Sequence, residues 1–450
     1  MNIKMSMAKY GLDKMVDQIY EDPGHALPKV MDWAEKFAGD SYQGQIGTIK
    51  KIVNNPEDPY YGMIQKIFTD LDRNVVKKLL INFFVYANLA GYPLLEENRK
   101  KYNCNIPWTI LLDPTSACNL HCTGCWAAEY GNKLNLSYDE IDSIIQQGKE
   151  LGIYMYIYTG GEPMVRKHDL IRLCEKHDEC VFLCFTNGTL IDENFADEML
   201  RVGNFVPAIS LEGFEGATDS RRGLGVYDHV LKAMRLLKEK RLPFGISACY
   251  TSANYESISS EEFYDLMISE GAYFVWFFHY MPVGNDADLS LLPTPEQRIG
   301  MIRKIRRYRA EKPLFAMDFQ NDAEYVEGCI AGGRRYLHIN ANGDVDPCVF
   351  IHYSDSNIRE KTLLEALQSP MMMQYHDNIP FNDNMLKPCP MLENSGKLAE
   401  MVRAAKAHST DLQSPQTAEA LCANTKEYAE NWAPAADKMW EELTQGKQKR

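Results

Sequence analysis

From the start of the chain to about residue 105, apolar positions recur at helical spacing and no strand-rich block interrupts them. "LDKMVDQIYED" (12–22) and "NVVKKLLINFFVYANLA" (74–90) carry that period most clearly. At 106 the pattern changes to short apolar runs separated by amphipathic segments. The runs at 108–116, 154–161, 181–188, 206–213, 244–251 and 273–280 read as strands. "SYDEIDSIIQQGKELG" (137–152) and "VYDHVLKAMRLLKEK" (226–240) read as helices between them. Six strand–helix units in series predict a parallel sheet with right-handed crossovers, as a partial barrel or an open α/β sheet. Near 315 the grammar changes again. "YLHINANGDVDPCVF" (336–350) predicts a hairpin turning at Asn342-Gly343, and a helix, "TLLEALQSP", follows. The tail beyond Cys389 is polar and helical. The expected divisions are a helical extension (1–105), an α/β unit (106–315), a hairpin-plus-helix region (316–395) and a helical tail (396–450).

The most apolar window, 79–95, is shorter than a membrane span and carries Asn82 and Asn88, so a buried helix is expected and membrane contact is not. The first residues lack the apolar region of a signal peptide, which points to the cytoplasm. A net charge of -14 argues against nucleic acid as a partner, because phosphate contacts need clustered Lys and Arg. The one basic run, "RKIRRYR" (303–309), reads as a solvated helix face.

Twelve cysteines in such a chain are not expected to form disulfides. Cys174, Cys180, Cys184 and Cys249 sit in apolar patterns and read as core. Cys118, Cys122 and Cys125 differ: C-x3-C-x2-C follows directly on the first strand, in the loop where parallel α/β folds build their sites. A structural zinc site needs four ligands, and His121 adjoins Cys122 too closely to complete one. A four-iron cluster on three thiolates leaves one iron open to chelate a small molecule. That accounts for the missing fourth thiol.

The triplet resembles the signature of the radical S-adenosylmethionine (SAM) superfamily. "TGGEP" (159–163) after the second strand resembles its SAM-binding motif, and "TNG" (186–188), "ISLEG" (209–213) and "RRG" (221–223) are also similar to the family pattern. The residue before the third cysteine, often aromatic in the family, is Gly124 here, and Trp126 follows instead. The resemblance implies a partial (β/α)6 TIM-like barrel. It implies a [4Fe-4S] cluster on Cys118, Cys122 and Cys125, with SAM held by its open iron. Gly160 and Gly161 would let the backbone approach SAM, Glu162 would meet its ammonium, and Pro163 would stiffen the turn. Arg222 would pair with the SAM carboxylate, while Ser210 and Glu212 would bind ribose or methionine. The implied chemistry is reductive cleavage of SAM to a 5′-deoxyadenosyl radical, fed by a donor such as flavodoxin or ferredoxin.

Cys329, Cys348 and Cys389, ordered around the hairpin and helix, are similar to the SPASM or twitch extension, which implies a second, auxiliary iron–sulfur cluster. A full SPASM domain has more cysteines near its end. Here only Cys389 is local, so the fourth ligand is Cys422, a non-cysteine group, substrate or nothing. The substrate is an unknown organic molecule, a lipid or small metabolite being favoured over a ribosomal peptide; a non-enzymatic iron–sulfur or electron-transfer protein is the remaining reading. Glu129, Tyr130, Cys249, His279 and Tyr280 are placed to face a cavity without an assigned role.

Overall fold

The computed structural model describes residues 3–37, 43–127, 133–284 and 287–448. Its main sheet has nine strands: β1 (Thr109–Leu112), β2 (Met155–Tyr158), β3 (Val181–Thr186), β4 (Phe205–Ser210), β5 (Gly245–Tyr250), β6 (Phe274–His279), β7 (Phe315–Asp318), β8 (Tyr336–Ile339) and β9 (Val345–Asp346). Their spatial order is β7-β6-β5-β4-β3-β2-β1-β8-β9. β1 to β7 are mutually parallel and run in sequence order, with helices in the crossovers, the arrangement of a partial parallel barrel.

Two features extend the six-unit expectation. A seventh strand, β7, pairs with β6 from Phe274↔Phe315 onward. The hairpin turns as expected but does not stand apart: β8 lies parallel to β1, with Thr109 opposite Tyr336, and β9 runs antiparallel outside it. The hairpin therefore brings its cysteine to the edge of the sheet that carries the first cysteine loop.

The helix after that loop starts at Tyr138 because Ser137 and Glu140 form a capping box. The Ser137 Oγ accepts from the Glu140 N–H at 3.1 Å, and the Glu140 carboxylate accepts from the Ser137 N–H at 2.6 Å. Strand alternation then divides the core in two. Ile110, Tyr156, Phe182, Ile246 and Phe277 pack under the helices. Leu111, Ile157, Leu183 and Phe278 face the other side, where Phe350, Met391, Leu421 and the three C-terminal cysteines cover them.

Among the first hundred residues, those described fold as helices around a small core that includes Val16, Phe68 and Val85. The apolar window forms a π-helix, Ile81–Gly91, continued by the helix Tyr92–Tyr102. It is half-buried rather than buried: Val85 and Ala87 are covered while Phe83 and Phe84 are exposed. With its flanks, Arg73–Tyr102 is long and apolar enough, by length and composition, to cross a bilayer. In the fold it docks on the barrel. The Asn82 amide donates to the carbonyls of Asp178 and Cys180 at 2.7 and 2.8 Å. Gly91 meets Gly152 so closely that a Cβ would lie 2.4 Å from the Gly152 carbonyl oxygen.

Candidate active site

The first cysteine loop is stitched to the loops after β2 and β3. Gly161 N–H donates to the Thr115 carbonyl at 3.0 Å, and Glu162 N–H to the Ala117 carbonyl at 2.7 Å. A Cβ on Gly161 would sit 2.3 Å from the Ala117 oxygen. The glycines of "TGGEP" thus serve first to bring that loop against the cysteine loop. Gly160 has φ +106°, a conformation that favours glycine. Pro163 opens the short 3₁₀ turn Pro163–Arg166, with Glu162 as its cap.

Glu162 is buried, and its carboxylate accepts from Met164 N–H at 2.9 Å, the Thr186 hydroxyl at 2.7 Å and Asn187 N–H at 2.7 Å. Burial raises its pKa although these donors oppose the shift. Much of its acceptor capacity is spent on protein donors, so its role in holding the "TNG" loop is established before any ligand arrives. Asn187 in turn donates to the Asn119 side chain at 2.8 Å, returning the network to the cysteine loop.

Glu212 is fully buried at the end of β4. Its carboxylate accepts from Arg221 at 2.7 Å, from Arg222 Nε at 2.8 Å and from the Cys249 N–H at 3.0 Å. Burial opposes its ionisation, but the charges of Arg221 and Arg222 outweigh burial and hold the carboxyl below its ordinary range. Arg222 lies 3.9 Å from the Cys122 sulfur, and Arg221 anchors the loop by accepting the Thr123 N–H on its carbonyl at 2.9 Å. Glu212 and Arg222, expected as separate SAM contacts, are therefore paired with each other. Ser210, buried on the same strand, lies two residues before Glu212.

The donor set suits a cluster. Cys118, Cys122 and Cys125 lie within electrostatic reach of one another. Among the described residues no three of His, Cys, Asp and Glu converge on a single ion. Burial pushes the Cys118 thiol up to about 11 and raises that of Cys125, while the charges of Arg221 and Arg222 act against the rise at Cys125. Arg221 and Arg222 offset the negative charge that thiolate ligation leaves.

Cys329, Cys348 and Cys389 line one cavity of about 440 Å³. Apolar groups dominate its wall, among them Trp276, Met281, Met317, Phe319 and Phe350, and Phe315 and Tyr325 stand exposed at its outer side. Burial pushes the Cys348 thiol up to about 11 and Cys329 to about 12, and it raises that of Cys389 well above its ordinary value. The Tyr336 hydroxyl is 2.8 Å from the Cys348 sulfur, and the Glu393 carboxylate, ion-paired with buried Arg298 at 2.8 Å, accepts the Cys389 N–H at 2.6 Å. Cys422 is not part of this wall. It is buried on the helix Ala418–Gln448, in electrostatic reach of Tyr353.

An aromatic series spans the space between the two triads. Phe185 meets Trp276 and Phe278; Phe278 meets Phe319 and Phe350; Phe350 meets Trp126, at centroid distances of 5.1 to 6.3 Å. The sixth strand contributes Trp276 and Phe278 here, while His279 points away and bonds Tyr428 at 2.6 Å. Tyr280 packs on Gly124, and its hydroxyl accepts the Asp288 N–H at 3.0 Å. Glu129 and Tyr130 lie outside the described residues.

Sequence reasoning passed over Arg221, Thr186, Asn187 and a buried group below Trp126. In that group His338 on β8 sits 2.9 Å from Asp113 and 3.4 Å from Asp346, and Asp346 accepts from the Thr410 hydroxyl at 3.0 Å. Only the adjacency of "RRG" hinted at Arg221; a lone His and two Asp far apart in the chain carry no local signal.

Comparison with known proteins agrees with this geometry. Residues 112–267 match the model of the Radical SAM superfamily, and residues 329–391 match that of SPASM, an iron-sulfur cluster-binding domain. An AdoMet-dependent heme synthase of Methanosarcina barkeri is 24% identical over 294 residues, spanning 59% of this chain and 83% of that protein. A PqqA peptide cyclase of Granulibacter bethesdensis is 28% identical over 314 residues, 63% of this chain and 79% of that one. In fold, the chain resembles Streptococcus suis SuiB bound to S-adenosylmethionine, with a TM-score of 0.56, 20% identity, and coverage of 66% of this chain and 75% of that one.

Proposed function

Since the chain belongs to the radical SAM superfamily and carries a SPASM domain, we propose that it is a radical SAM enzyme acting on an apolar organic substrate, a lipid or a ring-bearing small metabolite. Its cofactors are a SAM-binding [4Fe-4S] cluster, SAM, and iron–sulfur at the SPASM domain. When bound and reduced, the first cluster and SAM supply a 5′-deoxyadenosyl radical that removes a hydrogen atom from a substrate C–H bond.

The chain's own residues divide the work. Cys118, Cys122 and Cys125 hold the first cluster, and the Arg221–Glu212–Arg222 group keeps cationic charge beside it. Gly160, Gly161, Glu162 and Pro163 shape the SAM-facing turn and fix it to the cysteine loop. Ser210 stands at the end of β4 on the same side. Cys329, Cys348 and Cys389 hold the second cluster. An external donor of flavodoxin or ferredoxin type delivers the electron.

The observation that carries the substrate class is the wall between the triads, built of Phe185, Trp276, Phe278, Phe319 and Phe350. Such a wall offers ring and alkyl contact, excludes water from a radical, and provides few groups to pair with a peptide backbone. The heme synthase relative is consistent with a broad apolar substrate. The peptide cyclase relative supports a second reading, a ribosomal peptide. To decide, organic-soluble and peptide fractions of cells lacking the gene are added to the reduced, reconstituted enzyme with SAM. Stimulated 5′-deoxyadenosine formation by the organic fraction supports the first reading; stimulation by the peptide fraction alone replaces it with the second.

A further inference from the structure

The loop that carries Cys389 lies between the helices Pro370–Asn378 and Lys397–Ala405 and contains neither helix nor strand. The polar backbone of such a loop needs partners from elsewhere, and the C-terminal helix Ala418–Gln448 supplies several of them. Trp432 Nε1 donates to the Leu386 carbonyl at 2.9 Å, and the Thr425 hydroxyl donates to the Met391 carbonyl at 3.0 Å. The Asp437 carboxylate accepts from the Asn384 amide at 2.8 Å and pairs with Lys387 at 2.6 Å. The helix therefore grips the loop both before and after Cys389. It lies beyond residues 329–391, which the SPASM model matches.

The centre of this contact is Arg298, fully buried on the helix Pro295–Glu311. Its Nε donates at 2.9 Å to the side chain of Asn321, three residues past the end of β7. One Nη pairs with the Glu393 carboxylate at 2.8 Å, and the guanidinium lies 4.1 Å from the centroid of the Trp432 ring. The Tyr428 hydroxyl is 3.4 Å from the other Nη and 2.6 Å from His279 Nε2 at the end of β6. The second oxygen of Glu393 accepts the Cys389 N–H at 2.6 Å. A continuous chain of bonds thus runs from the barrel strands through Arg298 and Glu393 to the backbone of a cluster ligand. Breaking a buried pair of this kind leaves a charge without compensation, so the pair resists rearrangement and fixes where Cys389 stands. We propose that Arg298 and Glu393, braced by Tyr428 and Trp432, are positioning residues that present the Cys389 sulfur to the auxiliary cluster, which makes the C-terminal helix a working part of that site. This rests on the reading that the SPASM region holds a cluster.

The test uses the full chain with Cys118, Cys122 and Cys125 replaced by Ala, reconstituted with iron and sulfide, so that only the second site is read. Adding Glu393→Ala should shift the EPR signal of the reduced cluster and lower the iron content. Trp432→Phe keeps a ring over Arg298 but removes the bond to Leu386; it should shift the signal in the same direction by less, and it carries the test if Glu393→Ala does not fold. His177→Gln, which breaks a buried 2.8 Å contact with Asp142 elsewhere in the barrel, should leave the signal unmoved. With the first triad intact, Glu393→Ala should still form 5′-deoxyadenosine. An unchanged signal in iron-loaded Glu393→Ala or Trp432→Phe protein overturns the positioning role. So does an equal shift in His177→Gln, because the signal would then report general loosening of the fold. Both leave the second cluster standing. Folded protein without iron in the parent triple variant overturns the second cluster and the positioning role together.

Discussion

The two cysteine triads are built by opposite means. Cys118, Cys122 and Cys125 come from one loop, and their surroundings are polar: two guanidiniums, a buried carboxylate and backbone hydrogen bonds from the "TGGEP" loop. Cys329, Cys348 and Cys389 come from three segments, and their surroundings are aromatic and apolar, with the Tyr336 phenol at the Cys348 sulfur. Charge compensation suits a site that must take up a zwitterionic cofactor and an electron. A dry wall suits a site that keeps water from a radical. The first site is therefore specified by local sequence and tuned electrostatically, whereas the second exists only once the hairpin has docked on β1 and the chain has folded back over it.

The sharpest break of this comparison is at the thiols. Replacing Cys118, Cys122 and Cys125 with Ala should eliminate detectable 5′-deoxyadenosine, while folded protein keeps the iron of the second site. Iron analysis and chromatography of the reaction mixture read both. Replacing Cys329, Cys348 and Cys389 should do the reverse: SAM is still cleaved in the absence of turnover, but substrate conversion stops. If either set of replacements removes both irons and both activities in folded protein, the sites are not separable in the way proposed.

At the polar site, Glu212→Gln leaves two mostly buried guanidiniums without their shared carboxylate. Removing one partner of a buried ion pair costs about 3–5 kcal/mol, to be read by thermal unfolding of the reconstituted protein. A loss below about 1 kcal/mol, the range of an exposed pair, would mean that solvent or the cluster takes over the role of the carboxylate.

His338 provides a pH-dependent counterpart between the two sites. Burial opposes its charge, but Asp113 and Asp346 outweigh it and raise its pKa from 6.5 to about 10. The folded state binds the proton more tightly than the unfolded chain. This increment of stability is complete below pH 6.5 and is lost as pH rises toward 10. His338→Gln should cost about 3 kcal/mol at neutral pH, the low end for a broken buried pair. It should also flatten the decline in stability between pH 6.5 and 10. Denaturant midpoints across that range check it; parallel curves for both proteins would remove His338 from the account.

What could be read in the sequence follows from the same contrast. The first triad sits in one short stretch, so its spacing exposed it, along with the six strands around it, while "TGGEP" was legible through its resemblance to a family motif. The auxiliary cysteines were visible only as an order along the chain; their meeting in one cavity depends on β8 pairing with β1, which no local pattern announces. β7 was missed because its apolar run, "LFAMDF" (314–319), is short and begins right after a long helix, with Pro313 between them. Arg221 and Arg222 look alike in sequence, and only their shared carboxylate shows that they act as a pair.

The smallest effect tests whether the two regions are mechanically joined. Trp126 follows Cys125 directly, and its ring meets Phe350 edge-on at 6.0 Å. Phe350 in turn donates its backbone N–H to the Cys348 sulfur at 3.5 Å. This contact links a residue beside a ligand of each site through a single pair of rings. Aromatic pairs contribute about 0.5–1.5 kcal/mol beyond their buried area. Trp126→Leu, Phe350→Leu and the double variant form a cycle in which the coupling energy isolates this pair, provided each single change removes the contact without making another. A coupling near 1 kcal/mol in thermal unfolding, together with a shift of the auxiliary cluster's EPR signal in Trp126→Leu, is expected if Trp126 braces the Cys348 loop from the first site. Additive stabilities and an unmoved signal would leave the two triads as neighbours that share a barrel but not a mechanical connection.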